Sequence, residues 1–121
     1  MPRPVLEESR IHTAVRERVL QFRQDTLAEV QAAVAQHAVV VVGMRQNPYP
    51  RRARKALDAA GVRYHYLEYG SYLSDWRRRL ALKMWTGWPT IPLVFVKGQF
   101  VGGADDLARL IASGELARLL A

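Results

Sequence analysis

The sequence predicts one α/β domain, in which a four-stranded mixed sheet is flanked by helices. Three observations predict this fold. The run Ala38–Val42 is short, wholly apolar and β-branched, as in a strand covered on both faces. Helix-like and strand-like patterns alternate after that run. The 121 residues, half of them apolar, allow a single hydrophobic core that needs no disulfide or metal.

The first 37 residues predict helices. Apolar residues from Ile11 to Phe22 recur at a spacing of three and four, which indicates an extra N-terminal helix over roughly residues 5–24. Thr26–Glu29 has a capping-box pattern and predicts the start of a second helix. We therefore divide the chain into an N-terminal helical extension, residues 1–25, and a main domain, residues 26–121. The apolar stripe of the extension must be covered by its own sheet or by a second subunit, as in a homodimer.

The middle of the chain predicts a crossover unit. Asn47–Pro50 reads as a turn, and its prolines fit the first turn of a helix that ends at Gly61. Val62–Glu68 alternates as a second strand, and Tyr72–Trp85 reads as a strongly basic helix. Such a strand, helix and strand should be parallel and right-handed.

The C-terminal third predicts a hairpin followed by helix. In order, we expect a loop at Thr86–Pro92, a strand at Leu93–Lys97, a glycine-first turn at Gly98–Gln99 and a return strand at Phe100–Val101. Gly102–Gly103 then opens a helix with Asp105 and Asp106 in its first turn, where acids stabilise the helix dipole. A break at Ser113–Gly114 precedes a last short helix.

The composition excludes several chemistries. The chain has no cysteine, so by itself it offers no disulfide, no thiolate nucleophile and no cysteine-ligated metal. Its three histidines show no ligand spacing, and we predict no metal site. The opening residues and the apolar runs predict neither a secretory signal nor a membrane span, so the default expectation is a cytoplasmic protein with no membrane partner.

The positive charge is concentrated in one stretch. Eighteen Lys and Arg stand against eleven Asp and Glu, a net charge of +7. Between Arg45 and Lys83 there are ten basic and three acidic residues, and the difference equals that whole net charge. Such a stretch suits an anionic ligand, an acidic protein or nucleic acid, and it equally suits a solvated arginine-rich helix face.

Three motifs, taken in order, resemble the glutaredoxins, which have the thioredoxin fold. They are Asn47-Pro-Tyr-Pro50, Trp88-Pro-Thr-Ile-Pro92 and Gly102-Gly-Ala-Asp-Asp106. The resemblance covers about residues 27–121, and its second and third motifs are similar to those of monothiol glutaredoxins. It implies a thioredoxin-like sheet and a cis-proline at Pro92.

The resemblance also shows a departure at the reactive centre. It implies a nucleophilic cysteine where Asn47 stands and a second cysteine or serine where Pro50 stands. Neither residue forms a mixed disulfide or ligates an iron–sulfur cluster. The motif Asn47, Pro48, Tyr49, Pro50 is therefore degenerate, and we predict no catalytic residue for thiol–disulfide exchange.

Glutathione binding is the second implication of the resemblance. No cofactor is required, and glutathione would be a ligand whose peptide groups pair with the backbone of Ile91. Its γ-glutamyl end would lie at the start of the last helix, and its glycine carboxylate would meet basic side chains. Met44 stands at the position where the family has a lysine, and Arg45 is next to it. The residues implied in binding are Arg45, Arg79, Lys83, Thr90, Ile91, Pro92, Gly103, Ala104 and Asp105.

Three functions remain open at this point. The first is a non-catalytic module that binds glutathione, a peptide or a partner protein, linked to redox homeostasis or iron–sulfur assembly. The second is polyanion binding through Arg45–Lys83, although no nucleic-acid recognition signature is present. The third is an enzyme in which Asn47 or Tyr49 activates the thiol of bound glutathione. An alternative to all three is that Pro92 and Gly102–Gly103 are required by the fold and have no role in binding.

Overall fold

The computed structural model describes residues 3–121 and contains one four-stranded mixed sheet. Its strands are β1 (Val39–Gly43), β2 (His65–Glu68), β3 (Leu93–Val96) and β4 (Gln99–Gly102), in the spatial order β2-β1-β3-β4. β1 is parallel to β2 and antiparallel to β3, and β4 is antiparallel to β3. The predicted mixed sheet and its parallel crossover are confirmed.

Six α-helices are described around this sheet. They are α1 (Thr13–Gln21), α2 (Gln24–Gln36), α3 (Pro48–Ala59), α4 (Trp76–Thr86), α5 (Ala104–Ala112) and α6 (Glu115–Leu120), and a short 3-10 turn at Glu8–Arg10 precedes them. Within residues 3–121, no helix combines the length and the hydropathy that crossing a membrane requires.

The core consists of two layers, one on each face of the sheet. Val40 and Val42 of β1 pack with α2 and α4, whereas Val39 and Val41 pack with α3, α5 and α6. All four valines are at most 1% exposed. Because β1 is covered on both faces, its sequence is continuously apolar instead of alternating.

Two helices begin at other residues than the sequence predicts. α2 starts at Gln24, not at Thr26: Thr26 is fully buried, and its hydroxyl accepts a hydrogen bond from Arg78 Nε at 2.8 Å instead of capping the helix. α4 starts at Trp76, not at Tyr72, because the residues before it form a turn in which Ser74 Oγ accepts from the Ser71 N–H at 3.0 Å. In the turn before α4, a local side-chain hydrogen bond to the backbone thus takes the place of the predicted first helical turn.

Two further predictions need correction. The hairpin turn lies at Lys97–Gly98, where both φ angles are positive (51° and 84°), and Gln99 already belongs to β4. The N-terminal helix is shorter than predicted, since α1 covers only Thr13–Gln21 and has no buried residue. The division into residues 1–25 and 26–121 stays a prediction.

Candidate ligand-binding groove

A groove of about 570 Å³ lies where the end of β1, the start of α3, the loop before β3 and the start of α5 meet. One side of α4 closes it. The residues that line it are Met44, Asn47, Tyr49, Tyr72, Arg79, Lys83, Trp88, Pro89, Thr90, Ile91, Pro92, Gly103, Ala104, Asp105 and Asp106. Ten of the predicted site residues are thus brought together on one concave surface.

At the first motif, Asn47 serves as the N-cap of α3. Its Oδ1 accepts a hydrogen bond from the Tyr49 N–H at 2.9 Å, and its Nδ2 donates to the Ile91 carbonyl oxygen at 3.5 Å. Pro48 follows at the first helical position, where the missing N–H costs nothing. Pro50 is buried, and a Cβ at Gly43 would lie 2.8 Å from Pro50 Cβ. The motif therefore starts the helix and holds it close to β1.

The second motif forms the floor of the groove. The Ile91–Pro92 peptide bond is cis, as the resemblance implied. Ile91 is buried and Thr90 is exposed, so the backbone of this loop passes from the surface into the sheet. Peptide groups of such a loop, next to a groove, are suited to pair with an extended ligand.

The third motif begins α5 and contributes backbone N–H groups. The Asp106 carboxylate accepts a hydrogen bond from the Gly103 N–H at 3.0 Å, which fixes the start of the helix. Gly102 has a φ of 106°, and a Cβ there would lie 2.6 Å from Asp106 Oδ2, so this position requires glycine. The next N–H groups, of Ala104 and Asp105, have no acceptor within the helix and carry the positive end of its dipole.

Two cations line the α4 side of the groove. Arg79 is only 7% exposed, and its Nη1 donates to the carbonyl oxygens of Tyr69 at 2.9 Å and Ser74 at 2.6 Å. Lys83 is half-buried one turn further along the helix. Within the described chain, no carboxylate lies within 4.0 Å of either cation. Neither charge is neutralised by an acidic side chain of the described residues.

Three predicted residues do not line the groove. Arg45 points to Glu68, with Nε 4.0 Å from Oε2, and its side chain is 63% exposed. Met44 lines the wall at that place instead. Pro48 is exposed at the start of α3, and Pro50 is packed beneath it.

Sequence reasoning missed some lining residues. Trp88 begins the second motif but is not among the predicted binding residues. It contacts Phe100 edge to face at 5.4 Å and also lines the groove. Its buried Nε1 has no hydrogen-bond acceptor among the described residues. Tyr72 is exposed and lies in a turn, and no periodic pattern marks it. Asp106 was predicted only as a capping acid.

The basic stretch does not form one surface. α3 and α4 lie on opposite faces of the sheet, which separates their arginines. The Arg54 guanidinium lies 4.0 Å above the Tyr66 ring, and Arg78 pairs with Asp25 at 3.5 Å. Residues 3–121 contain no cluster of three His, Asp or Glu side chains placed to hold a metal ion.

Comparisons with known proteins identify the family. The glutaredoxin family model matches residues 39–101, slightly more than half of the chain. A glutaredoxin-like protein of Dictyostelium discoideum is 45% identical over 95 residues, which cover 78% of this chain and 77% of that protein. The chain belongs to the glutaredoxin family.

The other similarities agree with this assignment. An uncharacterized monothiol glutaredoxin of Synechocystis is 32% identical over 101 residues, covering 79% of this chain and 92% of that protein. Buckwheat glutaredoxin, solved as a complex with glutathione, has a TM-score of 0.71 and 30% identity, and the match covers 80% of this chain and 88% of that one. The family and the thioredoxin-like fold predicted from three motifs are confirmed.

Proposed function

We propose that this glutaredoxin-family chain is a non-catalytic binding module for glutathione or for a peptide end of the same form. One observation carries the proposal. The cis-proline loop, the free N–H groups of α5 and two cations without acidic partners line one groove, in a chain that has no cysteine. The groove has hydrogen-bond donors and cations that can bind a ligand, and the chain has no thiol that could react with it.

The ligand lies extended across the groove in this proposal. Its central peptide group pairs with the backbone of Ile91, as an added strand pairs with a sheet edge. One carboxylate accepts hydrogen bonds from the first-turn N–H groups of α5, and Asp105 accepts from the neighbouring ammonium group. The opposite carboxylate meets Lys83 and Arg79. Every one of these contacts is independent of the ligand's thiol.

Asn47 stands where the family resemblance implies a nucleophilic cysteine, and it caps α3 instead. Its amide is 3.5 Å from the Ile91 carbonyl oxygen, an acceptor that a pairing ligand also needs. A bound peptide N–H would displace or share this long contact, which is weak at that distance. We therefore expect modest affinity, in the millimolar range, and a role in holding the ligand without turnover.

The proposed setting is the cytoplasm, in redox homeostasis or iron–sulfur assembly. There the chain would hold glutathione, or a partner that carries it, without contributing a thiolate ligand. The polyanion alternative receives less support, because the arginines of α3 and α4 lie on opposite faces of the sheet.

Calorimetric titration with reduced glutathione and with S-methylglutathione tests the proposal. We expect both to bind with dissociation constants within about threefold, because no contact involves the thiol. Lys83→Ala should weaken both about tenfold through the loss of one charge-assisted contact. Lys55→Ala, which removes an exposed lysine of α3 that does not line the groove, is the matched control and should change neither.

The other outcomes separate the alternatives. If neither ligand binds at about 10 mM, the glutathione proposal is overturned. If reduced glutathione binds far more tightly than its S-methyl form, the site recognises the thiol, and Asn47 and Tyr49 become candidates for activating it. Equal weakening by Lys55→Ala would indicate non-specific attraction to the basic surface.

A further inference from the structure

Exposed apolar side chains are concentrated on α1 and α4, outside the groove. Trp76, Leu80 and Met84 of α4 are 54%, 39% and 57% exposed, and Val15 and Val19 of α1 are 37% and 49% exposed. We call these five residues the α1/α4 surface. Contiguous exposed apolar side chains on a soluble domain mark interaction sites, whereas scattered ones need no explanation.

The five residues form a continuous stripe. Trp76, Leu80 and Met84 follow one another at intervals of four and therefore share one face of α4. Met84 meets Val15 and Val19 across a shallow concavity of about 420 Å³ between the two helices. The stripe thus begins on one face of α4 and ends in the concavity between α1 and α4.

The charges beside this stripe are positive. Arg79 and Lys83 of α4 line the groove and Arg78 pairs with Asp25. The α4 cation beside the stripe is therefore Arg77, which lies 4.8 Å from the Trp76 ring centre at one end. Arg18 lines the concavity at the other end. Among the described residues, neither Arg18 nor Arg77 has a carboxylate within 4.0 Å. Any partner that covers the stripe must also face these cations.

We propose that the α1/α4 surface binds an amphipathic helix of a partner protein, with an apolar ridge flanked by acidic residues. The ridge enters the concavity beside Met84, as helices enter apolar grooves elsewhere. The acidic flanks meet Arg18 and Arg77, which supplies charge complementarity. This interaction goes beyond ligand binding in the groove and does not depend on it.

Two other occupants fit less well. In a two-fold dimer through this surface, each protomer would bring Arg18 and Arg77 to the same interface, and like charges oppose the pairing. A membrane would satisfy the cations, but a concavity between two helices is a poorer match to a flat bilayer than a single convex helix. The predicted homodimer through the N-terminal helix is therefore an alternative outcome of the test.

The test uses a synthetic helical probe of about 18 residues, five turns long. It has leucines at i, i+3, i+4 and i+7 spacing and glutamates on both flanks, and a second peptide replaces every glutamate with lysine. Amide NMR of the full chain should show saturable shifts at Val15, Val19, Leu80 and Met84 with the acidic peptide. The lysine peptide should bind at least about tenfold more weakly.

Surface variants make the result specific. Met84→Ser and Arg77→Glu each change an exposed side chain and should weaken binding of the acidic probe at least about tenfold, with the NMR spectrum confirming an intact fold. Arg63→Glu, an equal charge reversal at an exposed residue just before β2, should change the affinity less than about threefold. Glutathione titration of Met84→Ser should match that of the unchanged chain.

Several results would overturn the proposal. These are the absence of shifts with about 1 mM acidic probe, equal binding of the two peptides, or equal effects of Arg77→Glu and Arg63→Glu. Concentration-dependent dimerisation that Met84→Ser abolishes would assign the surface to a second copy. Binding to anionic vesicles that Met84→Ser abolishes, without binding of the peptide, would assign it to a membrane.

Discussion

The two walls of the groove differ in how closely they match the glutaredoxin motifs. The C-terminal wall, residues 88–106, keeps the cis-proline and the glycine that begins α5. The N-terminal wall, residues 44–50, has a residue without a thiol at each position where the family resemblance implies the reactive pair. Asn47 nevertheless caps α3, and Pro50 packs closely against Gly43. The requirements for starting a helix are thus separable from the requirements for redox chemistry.

The largest expected effect concerns Arg79, whose contacts give it a role in the fold as well as in the groove. Arg79→Ala removes both hydrogen bonds to the Tyr69 and Ser74 carbonyl oxygens. Hydrogen bonds from a charged donor are strong, so we expect the free energy of unfolding to fall by about 3 kcal/mol. Urea unfolding measures this change.

The Arg79 prediction has a matched control in α3. Arg51→Ala removes an exposed arginine and should change the free energy of unfolding by less than about 0.5 kcal/mol. Equal small losses in both variants would show that the buried guanidinium does not hold the loop after β2. Because of this structural role, Lys83 is the better residue for testing ligand binding alone.

The next effect tests the C-terminal wall. Gly102→Ala should destabilise the chain by about 2 kcal/mol, because alanine is strained at a φ of 106° and its Cβ would overlap the Asp106 carboxylate. Gly98→Ala also has a positive φ, but no atom lies within 4 Å of the added Cβ, so about 1 kcal/mol is expected. Thermal or urea unfolding compares the two. Equal losses would mean that the contact with Asp106 is unimportant.

These elements also show how far the sequence predicts the structure. The valines of β1 were predictable because burial on both faces leaves a continuous apolar run. The turn at Lys97–Gly98 was placed one residue late, because a positive φ at a lysine leaves no mark in the sequence. The start of α4 was placed too early, since the hydrogen bond from the Ser71 N–H to Ser74 Oγ forms a turn that apolar periodicity does not mark.

The groove was predictable where a motif fixed the backbone. Ile91, Gly103 and Ala104 line it as expected, because the cis-proline loop and the start of α5 have a fixed geometry. Arg45 was expected in the groove by its place in the sequence alone, and its side chain instead turns toward Glu68. The position of Arg45 in the sequence does not show that Glu68 lies near its side chain in the folded chain.

A smaller effect tests the structural role of the N-terminal wall. Asn47→Ala removes the N-cap of α3 and should cost about 1 kcal/mol, whereas Asn47→Ser keeps a capping oxygen and should cost a few tenths. Chemical unfolding measures both. If the two variants lose equal stability, Asn47 does not act as a cap.

The last effect is a pH dependence of stability that is confined to alkaline conditions and comes from Tyr66, beneath the same wall. Burial and then the Glu68 carboxylate raise the pKa of the Tyr66 hydroxyl to about 12, against an opposing effect of Arg54. Because the unfolded chain ionises this tyrosine near pH 10, stability is retained below pH 10 and falls between about pH 10 and 12. The urea midpoint should fall less steeply over that range in Tyr66→Phe. Tyr72→Phe, at an exposed tyrosine, should leave the slope unchanged.

The most direct test of the central claim is to restore the missing nucleophile with Asn47→Cys. The introduced thiolate would attack a glutathionylated substrate, take up the glutathionyl group as a mixed disulfide and release the substrate thiol; reduced glutathione would then release glutathione disulfide and regenerate the thiolate. We predict steady turnover in a glutathione-coupled assay, reduced about tenfold by Lys83→Ala in the same background. Turnover no faster than that of Ser113→Cys, a cysteine at an exposed helix end far along the chain, would contradict a retained glutaredoxin groove.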